Sequence, residues 1–466
     1  MFKYILLLLQ ILTIVKSQLT PTVRTLHDTV LIDKKLYIFG GFHAPAPNST
    51  IESEYNLNPD DRFFYLDVSK PFDTSSLPWT PIPNNEKDLP LNFLSSIITG
   101  GVSASIGGVN NDTIYFINNE RDKTLPPVLT FSTKDNLWHS IFQQSILGDR
   151  PIGRNQIRPI TDYNGKIHLL TGFSFVTLQG VTRNQGGIIV FDTINFSCVV
   201  KDADISRLEY SATLLPNGII VYMGGKTSDG RADTDNFRIV YLYNTTDNTW
   251  KPQPTTGDIP AGDHGTSSVL GLDGFRIIVF GGLNSGNKLL YVLDTRTFNW
   301  YEPNVSGKNP TIKRFDHSAN VIGKYMVIAF GSGSDLDFSY RSNSESDVLL
   351  LDIGNSSNYV WTNYFDPNAV IPPQTTSLPT DSNSTQYNDN SNNNKKNNNN
   401  NINPGVIVGV VIGVIGIICI ISLSIFYYVR RRKTGKGIYE KAIPTPSNSE
   451  NIIPIPSDLE LTYGRK

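Results

Sequence analysis

All five tryptophans of this chain fall at the same place in a repeating pattern, and that constrains the fold more than any other feature. Trp79, Trp138, Trp250, Trp300 and Trp361 are separated by steps of 59, 112, 50 and 61 residues. The long step is two of 56, with Cys198 near the missing mark. The stretch Arg276–Trp300 shows what each Trp closes. Ile277–Phe280 is an apolar strand, Gly281–Gly282 breaks it, and Leu289–Leu293 is a second strand followed by Asp294 and Trp300. Ser267–Leu270 is a further strand ahead of these, joined by Asp273–Gly274, a dipeptide preferred in type I′ hairpin turns. Together they form a four-stranded antiparallel unit. Such a unit cannot bury both faces alone, so other copies are expected.

The copies are present. Gly-Gly recurs at Gly40–Gly41 and Gly224–Gly225, with degenerate forms at Asn118–Asn119, Thr171–Gly172 and Gly331–Ser332. Asn164–Gly165 and Asn217–Gly218 repeat the turn between first and second strands. A period of about 50 residues with Gly-Gly and a late Trp resembles the kelch repeat, whose copies are the blades of a β-propeller. Six copies span roughly 24–83, 98–142, 154–201, 207–258, 263–305 and 314–365. The resemblance implies an all-β, six-bladed kelch-type β-propeller. Seven blades, with 84–97 and terminal segments making an irregular extra one, is the alternative. Because propellers host unrelated activities, fold alone does not give function.

Three copies open alike, with Arg24-Thr-Leu-His27, Arg207-Leu-Glu-Tyr210 and Arg314-Phe-Asp-His317. An Arg before the innermost strand reads as a guanidinium satisfying carbonyls where blades meet near the axis. The functional alternative is that Arg and His line a ligand channel. Cys198 stands where a blade-closing Trp is expected and reads as a small buried hydrophobe. The other cysteine, Cys419, lies in an apolar segment, so no disulfide can form within the repeats. A domain of this size buries enough surface without one.

The flanks place the repeats outside a cell. Residues 1–17, with Lys3 and an apolar run from Ile5 to Val15, read as a signal peptide cleaved after Ser17, a retained anchor being the alternative. Residues 18–366 are the ectodomain. Residues 367–404, rich in Asn, Ser, Thr and Pro, lack the apolar content to offset ordering and read as a disordered stalk. Residues 405–429 read as a single transmembrane helix, with Arg430 to Lys433 next to it. Positive residues stay cytoplasmic, which makes this a single-pass type I plasma-membrane protein with residues 430–466 as its tail. Gly405, Gly409 and Gly413 lie four apart, as in helix-dimerising stripes, so a homodimer is a candidate.

Net charge is −2, and the one basic block adjoins the membrane segment, so nucleic acid is not an expected partner. Seven sequons, at Asn48, Asn111, Asn195, Asn244, Asn304, Asn355 and Asn383, are candidate glycosylation sites. The loops after each Gly-Gly differ widely in length. In an antiparallel blade they share a face with the blade-to-blade connections, and variable loops on a rigid scaffold are where binding residues concentrate. That face would display Arg183, Asp229, Arg231, Asp335 and Arg341.

The main enzymatic relative of kelch propellers is galactose oxidase, to which the resemblance is distant. Its copper site needs a Cys crosslinked to a Tyr, a second Tyr and two His ligands. Here six histidines stand apart, none in a metal-ligand spacing, and the one ectodomain cysteine fills a structural slot. No Gly-X-Ser-X-Gly elbow, Walker loop or sialidase Asp box appears. The expectation is therefore a non-enzymatic, cofactor-free and metal-free adhesion or receptor module for an extracellular protein or glycan. A membrane-tethered, galactose-oxidase-like carbohydrate-active enzyme is the alternative.

Overall fold

The computed structural model describes residues 19–43, 62–82, 103–118, 126–151, 157–170, 177–178, 181–182, 187–203, 205–227, 236–261, 264–286, 288–333, 341 and 345–371. They form six four-stranded antiparallel sheets, each built from consecutive strands in chain order. Blade 1 is Asp28–Ile32, Lys35–Phe39, Phe63–Asp67 and Trp79–Pro81. Blade 2 is Ser103–Gly107, Thr113–Ile117, Val128–Ser132 and Leu137–Ile141. Blade 3 is Ile160–Thr161, Lys166–Leu170, Ile188–Asp192 and Ser197–Lys201. Blade 4 is Ser211–Leu214, Ile219–Met223, Ile239–Asn244 and Trp250–Pro254. Blade 5 is Ser267–Leu270, Arg276–Phe280, Leu290–Asp294 and Asn299–Tyr301. Blade 6 is Ser318–Ile322, Tyr325–Ala329, Val348–Asp352 and Tyr359–Thr362.

The innermost strands adjoin one another around a ring that closes between blades 6 and 1, so a seventh blade has no place. At the closure, the Asn320 side chain donates to Thr29 Oγ1 at 2.7 Å. The seam is reinforced at the rim. The long third-to-fourth turn of blade 1 sends Phe72–Asp73 against Tyr364–Phe365, just after the last strand of blade 6. There Phe72 and Phe365 stack with centroids 4.8 Å apart. Thr74 N–H donates to the Asn363 carbonyl, and Ser346 Oγ donates to the Thr74 carbonyl.

The core is a set of apolar layers between blades. One joins blades 1 and 2 through Phe39, Phe63, Phe116, Phe131 and Trp138, and another joins blades 1 and 6 through Leu66, Trp79, Val327 and Phe330. Trp300 is fully buried between blades 4 and 5, its Nε1 donating to the Phe237 carbonyl at 3.1 Å. All five tryptophans lie in fourth strands, and Cys198, 1% exposed, fills the same slot opposite Phe191. Burial pushes its thiol up to about 12, so it is protonated and inert.

Two features depart from the sequence reading. Asp273–Gly274 does not form a two-residue type I′ turn. Its four-residue connection closes with Gly274 N–H on Gly271 O and Gly271 N–H on Arg276 O, and only Gly274 takes a positive φ, of 80°. Type I′ needs positive φ at both central residues; here Asp273 Oδ1 instead accepts the N–H groups of Phe275 and Arg276. Blades 3, 5 and 6 also carry an unforeseen fifth strand. Leu147–Gly148, Thr256–Gly257 and Val305–Gly307 run parallel to the fourth strand of the blade they lead into. Each ends on a glycine with φ between 84° and 86°, lying against the backbone carbonyl of Cys198, Trp300 or Trp361. The recurring Gly-X-X-Pro of Gly148–Pro151, Gly257–Pro260 and Gly307–Pro310 is the signal that encodes it.

Residues 1–18 and 372–466, with the signal, most of the stalk, Gly405, Gly409, Gly413 and the 405–429 segment, lie outside the described residues. Among the described residues no helix is long and apolar enough to cross a membrane.

Candidate functional site

The inner strands carry small polar residues where the blades converge, because their Cβ atoms approach too closely for large side chains. Hydroxyls pair across blades: Ser105 Oγ with Thr161 Oγ1 and Thr213 Oγ1 with Ser268 Oγ, both at 2.7 Å. They surround a central cavity of ≈ 200 Å³, to which all six blades contribute, among them Thr29, Ala104, Ile160, Ser211, Thr266 and Asn320.

On the loop side, the residue preceding each His or Tyr of the opening motif adopts a left-handed backbone. Leu26, Glu209 and Asp316 have φ of 54°, 52° and 54°, and Gly265 has 69°. This turns their peptides tangentially and links the blades in series. Gly265 N–H donates to Glu209 O, Asp316 N–H to Gly265 O, and Leu26 N–H to Asp316 O, at 2.8–2.9 Å. Side chains repeat the pattern: His27 Nε2 meets Ser318 Oγ at 2.9 Å, and His317 Nε2 meets Ser267 Oγ at 2.7 Å. Tyr210 OH instead donates to Leu170 O of blade 3 at 3.4 Å.

The opening arginines are architectural. Arg24 and Arg314 are fully buried and Arg207 nearly so. Their guanidinium groups donate to the carbonyls of Gly40, Phe330 and Gly224, each where the second strand of its own blade ends. The sequence reading of carbonyl satisfaction holds, within blades rather than between them.

An arginine that sequence reasoning missed spans the axis. Arg158 of blade 3 donates through Nη1 to His27 O at 3.2 Å and through Nη2 to His317 O at 2.6 Å. Its Nη1 also lies 3.6 Å from Asp28 Oδ1. Nothing local marks it, since its acceptors lie 131 and 159 residues away. Burial raises the Asp28 carboxyl to about 6, against the opposing pull of Arg158 and the Ala104 N–H. Burial, then the Arg158 and Arg314 charges, lowers His317 to about 3; burial and Arg158 hold His27 well below the usual imidazole range. Both rings are neutral. Their Nδ1 atoms find no carboxylate among the described residues, so neither Ser–His pair has the third group of a nucleophilic triad.

Asp316 and Glu209 also face this mouth. Glu209 takes Lys226 Nζ at 2.7 Å and His264 Nε2 at 3.4 Å. Asp316 is 5% exposed, and burial followed by the Glu209 charge pushes its carboxyl upward. Among the described residues no group of three or more His, Cys, Asp and Glu side chains is placed to hold a metal ion.

Of the five loop residues expected at the binding face, Arg183, Asp229, Arg231 and Asp335 lie outside the described residues. Arg341 forks onto Asp347, with Nε and Nη2 each 2.7 Å from a carboxylate oxygen, and Nη2 also donates to Pro21 O. It thus ties the N-terminal segment to blade 6, beside a cavity of ≈ 780 Å³ at the seam of blades 1 and 6. Asn111, Asn195, Asn304 and Asn355 are exposed, Asn244 is half-buried, and Asn48 and Asn383 lie outside the described residues.

Parts of the chain are similar to known proteins. Residues 209–380 match the family described as the KLHDC2/KLHL20/DRC7 Kelch-repeats domain. The chain is 28% identical over 196 residues to the Rho GTPase-activating protein gacHH of Dictyostelium discoideum, covering 39% of this chain and 12% of that one. A solved structure of YjhT superposes with a TM-score of 0.49 and 11% identity, over 74% of this chain and 99% of that one. Residues 209–380 are thus similar to a kelch-repeat domain, and the described residues fold as an all-β, six-bladed propeller.

Proposed function

We propose that this chain is a single-pass cell-surface glycoprotein whose kelch propeller binds an extracellular protein or glycan without transforming it. The observation that carries this reading is the locked axis. Backbone hydrogen bonds chain blades 4, 5, 6 and 1 together, and Arg158 ties blade 3 to blades 6 and 1. A mouth held this rigidly loses little freedom on binding, which favours recognition. The two histidines there are poorly suited to proton transfer, since His317, lowered to about 3, and His27, held well below the usual imidazole range, remain neutral at working pH. The kelch match supports an interaction module, and four exposed sequons suit an extracellular face.

The test uses cells displaying the full-length chain, probed with glycan and secreted-protein arrays. Captured ligand is eluted and weighed by mass spectrometry. The expected result is saturable capture and recovery of unchanged ligand. Recovery of an oxidised or cleaved ligand would replace this reading with the enzymatic one.

A further inference from the structure

The inner strands enclose a polar cavity that recognition of a partner on the loops leaves unused. Its volume of ≈ 200 Å³ gives room for several waters. It is smaller than the pockets that take drug-sized ligands, roughly 300–1,000 Å³, and suits a single sugar ring. Arg158 crosses it on the loop side, held by His27 O and His317 O, and is itself part of the wall. A molecule beneath Arg158 is therefore a free one and not the end of a longer chain.

The wall has bonding capacity to spare. Each hydroxyl has one hydrogen to give and two lone pairs. Thr161 Oγ1 gives its hydrogen to Ile106 O at 2.6 Å, so in its 2.7 Å pair with Ser105 the serine is the donor. Ser211 gives its hydrogen to Met223 O at 3.5 Å. Both serines line the cavity and keep lone pairs that no described residue uses. Thr29 is the reverse case: its Oγ1 accepts from Asn320, and its own hydrogen has no acceptor among the described residues. Asp28 Oδ1 takes no hydrogen bond from a described residue, with Arg158 Nη1 standing 3.6 Å away. Thr266 is 2% exposed, lines the cavity, and its hydroxyl has no hydrogen-bond partner at all. Between these polar groups lie Ala104, Ala212 and Ala319, one each from blades 2, 4 and 6.

A cation would need acceptors alone, and it would meet the Arg158 charge. An anion would need donors alone, and it would meet Asp28 and the serine lone pairs. A hydroxyl both gives and accepts, which matches a wall that offers both. We propose that the axial cavity binds one small neutral polyol, a free hexopyranose, whose hydroxyls satisfy Thr266 and the spare groups of Thr29, Ser105 and Ser211. This goes beyond partner recognition on the loops and does not rest on it. Water alone serves the wall less well, because it has no bond to make with the alanines. Ring C–H groups that displace it there gain affinity.

The test is calorimetric titration of purified full-length protein in a detergent without a sugar headgroup. The probes are D-glucose, D-galactose and D-mannose, a disaccharide ending in each, methylammonium and acetate. At least one hexose should bind with a Kd on the order of 1 mM, as suits a ligand of its size. Its disaccharide should bind about ten-fold more weakly or worse, and the two ions should give no saturable heat. Thr266→Val keeps the side-chain shape and removes the hydroxyl. It should melt at or above the wild-type temperature, since the lost group has no partner, and should lose about three-fold or more in hexose affinity. No saturable binding of any hexose would mean that the cavity holds water only and would overturn the proposal. So would an ion binding as tightly as the hexose, or undiminished hexose binding by Thr266→Val. A disaccharide binding as tightly as its hexose would overturn the free-ligand assignment. Should Thr266→Val not fold, the wild-type ratios of hexose to disaccharide and to ion still decide. Hexose binding with nothing captured by displayed chains would leave the cavity standing and sink the receptor reading. Capture of a macromolecule with no hexose binding would do the reverse.

Discussion

The layers between blades and the axis where they converge are built from opposite materials. The layers are apolar and aromatic: Phe63, Phe116, Phe131 and Trp138 pack with centroids 5.0–6.3 Å apart, and Trp300 is wholly buried. The axis is hydroxylic and charged, with neutral histidines, one spanning arginine and a carboxyl, that of Asp316, with no partner among the described residues. Area removed from water sets stability, and the layers hold nearly all of it. The axis contributes geometry instead, since directional bonds between backbone groups fix the mouth. A propeller can thus vary its mouth while its layers keep the ring intact.

That division predicts a ranking. Trp300→Ala removes a fully buried ring and its hydrogen bond to Phe237, and should cost about 3–5 kcal/mol, seen as a large drop in melting temperature. A loss under about 1 kcal/mol would show that the layers do not carry the fold. Gly281→Val comes next. Gly281 has φ 69°, and its missing Cβ faces the Arg314 carbonyl, so about 2 kcal/mol or more should be lost. Wild-type melting would remove this reason for the Gly-Gly signature. Arg158→Met should cost only about 1–2 kcal/mol, because two carbonyls lose a donor while the layers stay packed. A collapse of the fold in that variant would make the axis, and not the layers, the keystone.

A further effect is one of pH. Asp28 is raised from an ordinary value of 3.8 to about 6, so the folded state holds its proton more tightly than the unfolded state. Stability from this group is fully present below about pH 4 and is lost as pH rises through about 6. Asp28→Asn should therefore gain on wild type, by about 2 kcal/mol, between pH 4 and pH 7.5 in parallel melts. An unchanged gap across that range would mean that burial does not govern Asp28.

How much of this is legible in the sequence follows the same division. The layers announce themselves, because each blade repeats its own apolar strands, Gly-Gly break and closing Trp within about 50 residues, and Cys198 betrays its slot by spacing. The arginines before the inner strands were readable for the same reason, since Gly40, Gly224 and Phe330 lie 16 or 17 residues away. The axis was not readable. Arg158 finds its acceptors 131 and 159 residues off, and the left-handed turns at Leu26 and Glu209 occupy residue types that do not advertise one. The fifth strands hid for a different reason. Their Gly-X-X-Pro signal sits in what reads as a linker, and it only acquires a partner once the next blade has returned to the rim.

The melting temperature of Asp316→Asn at pH 7.5 tests the division most directly. Asp316 is buried beside Glu209, and its carboxylate accepts nothing from the described residues, so its charge costs stability that Asn would spare. The account predicts that the variant melts at or above the wild-type temperature. A fall of several degrees would show that this carboxylate holds the ring together, and the axis would then belong to the scaffold and not to the binding site.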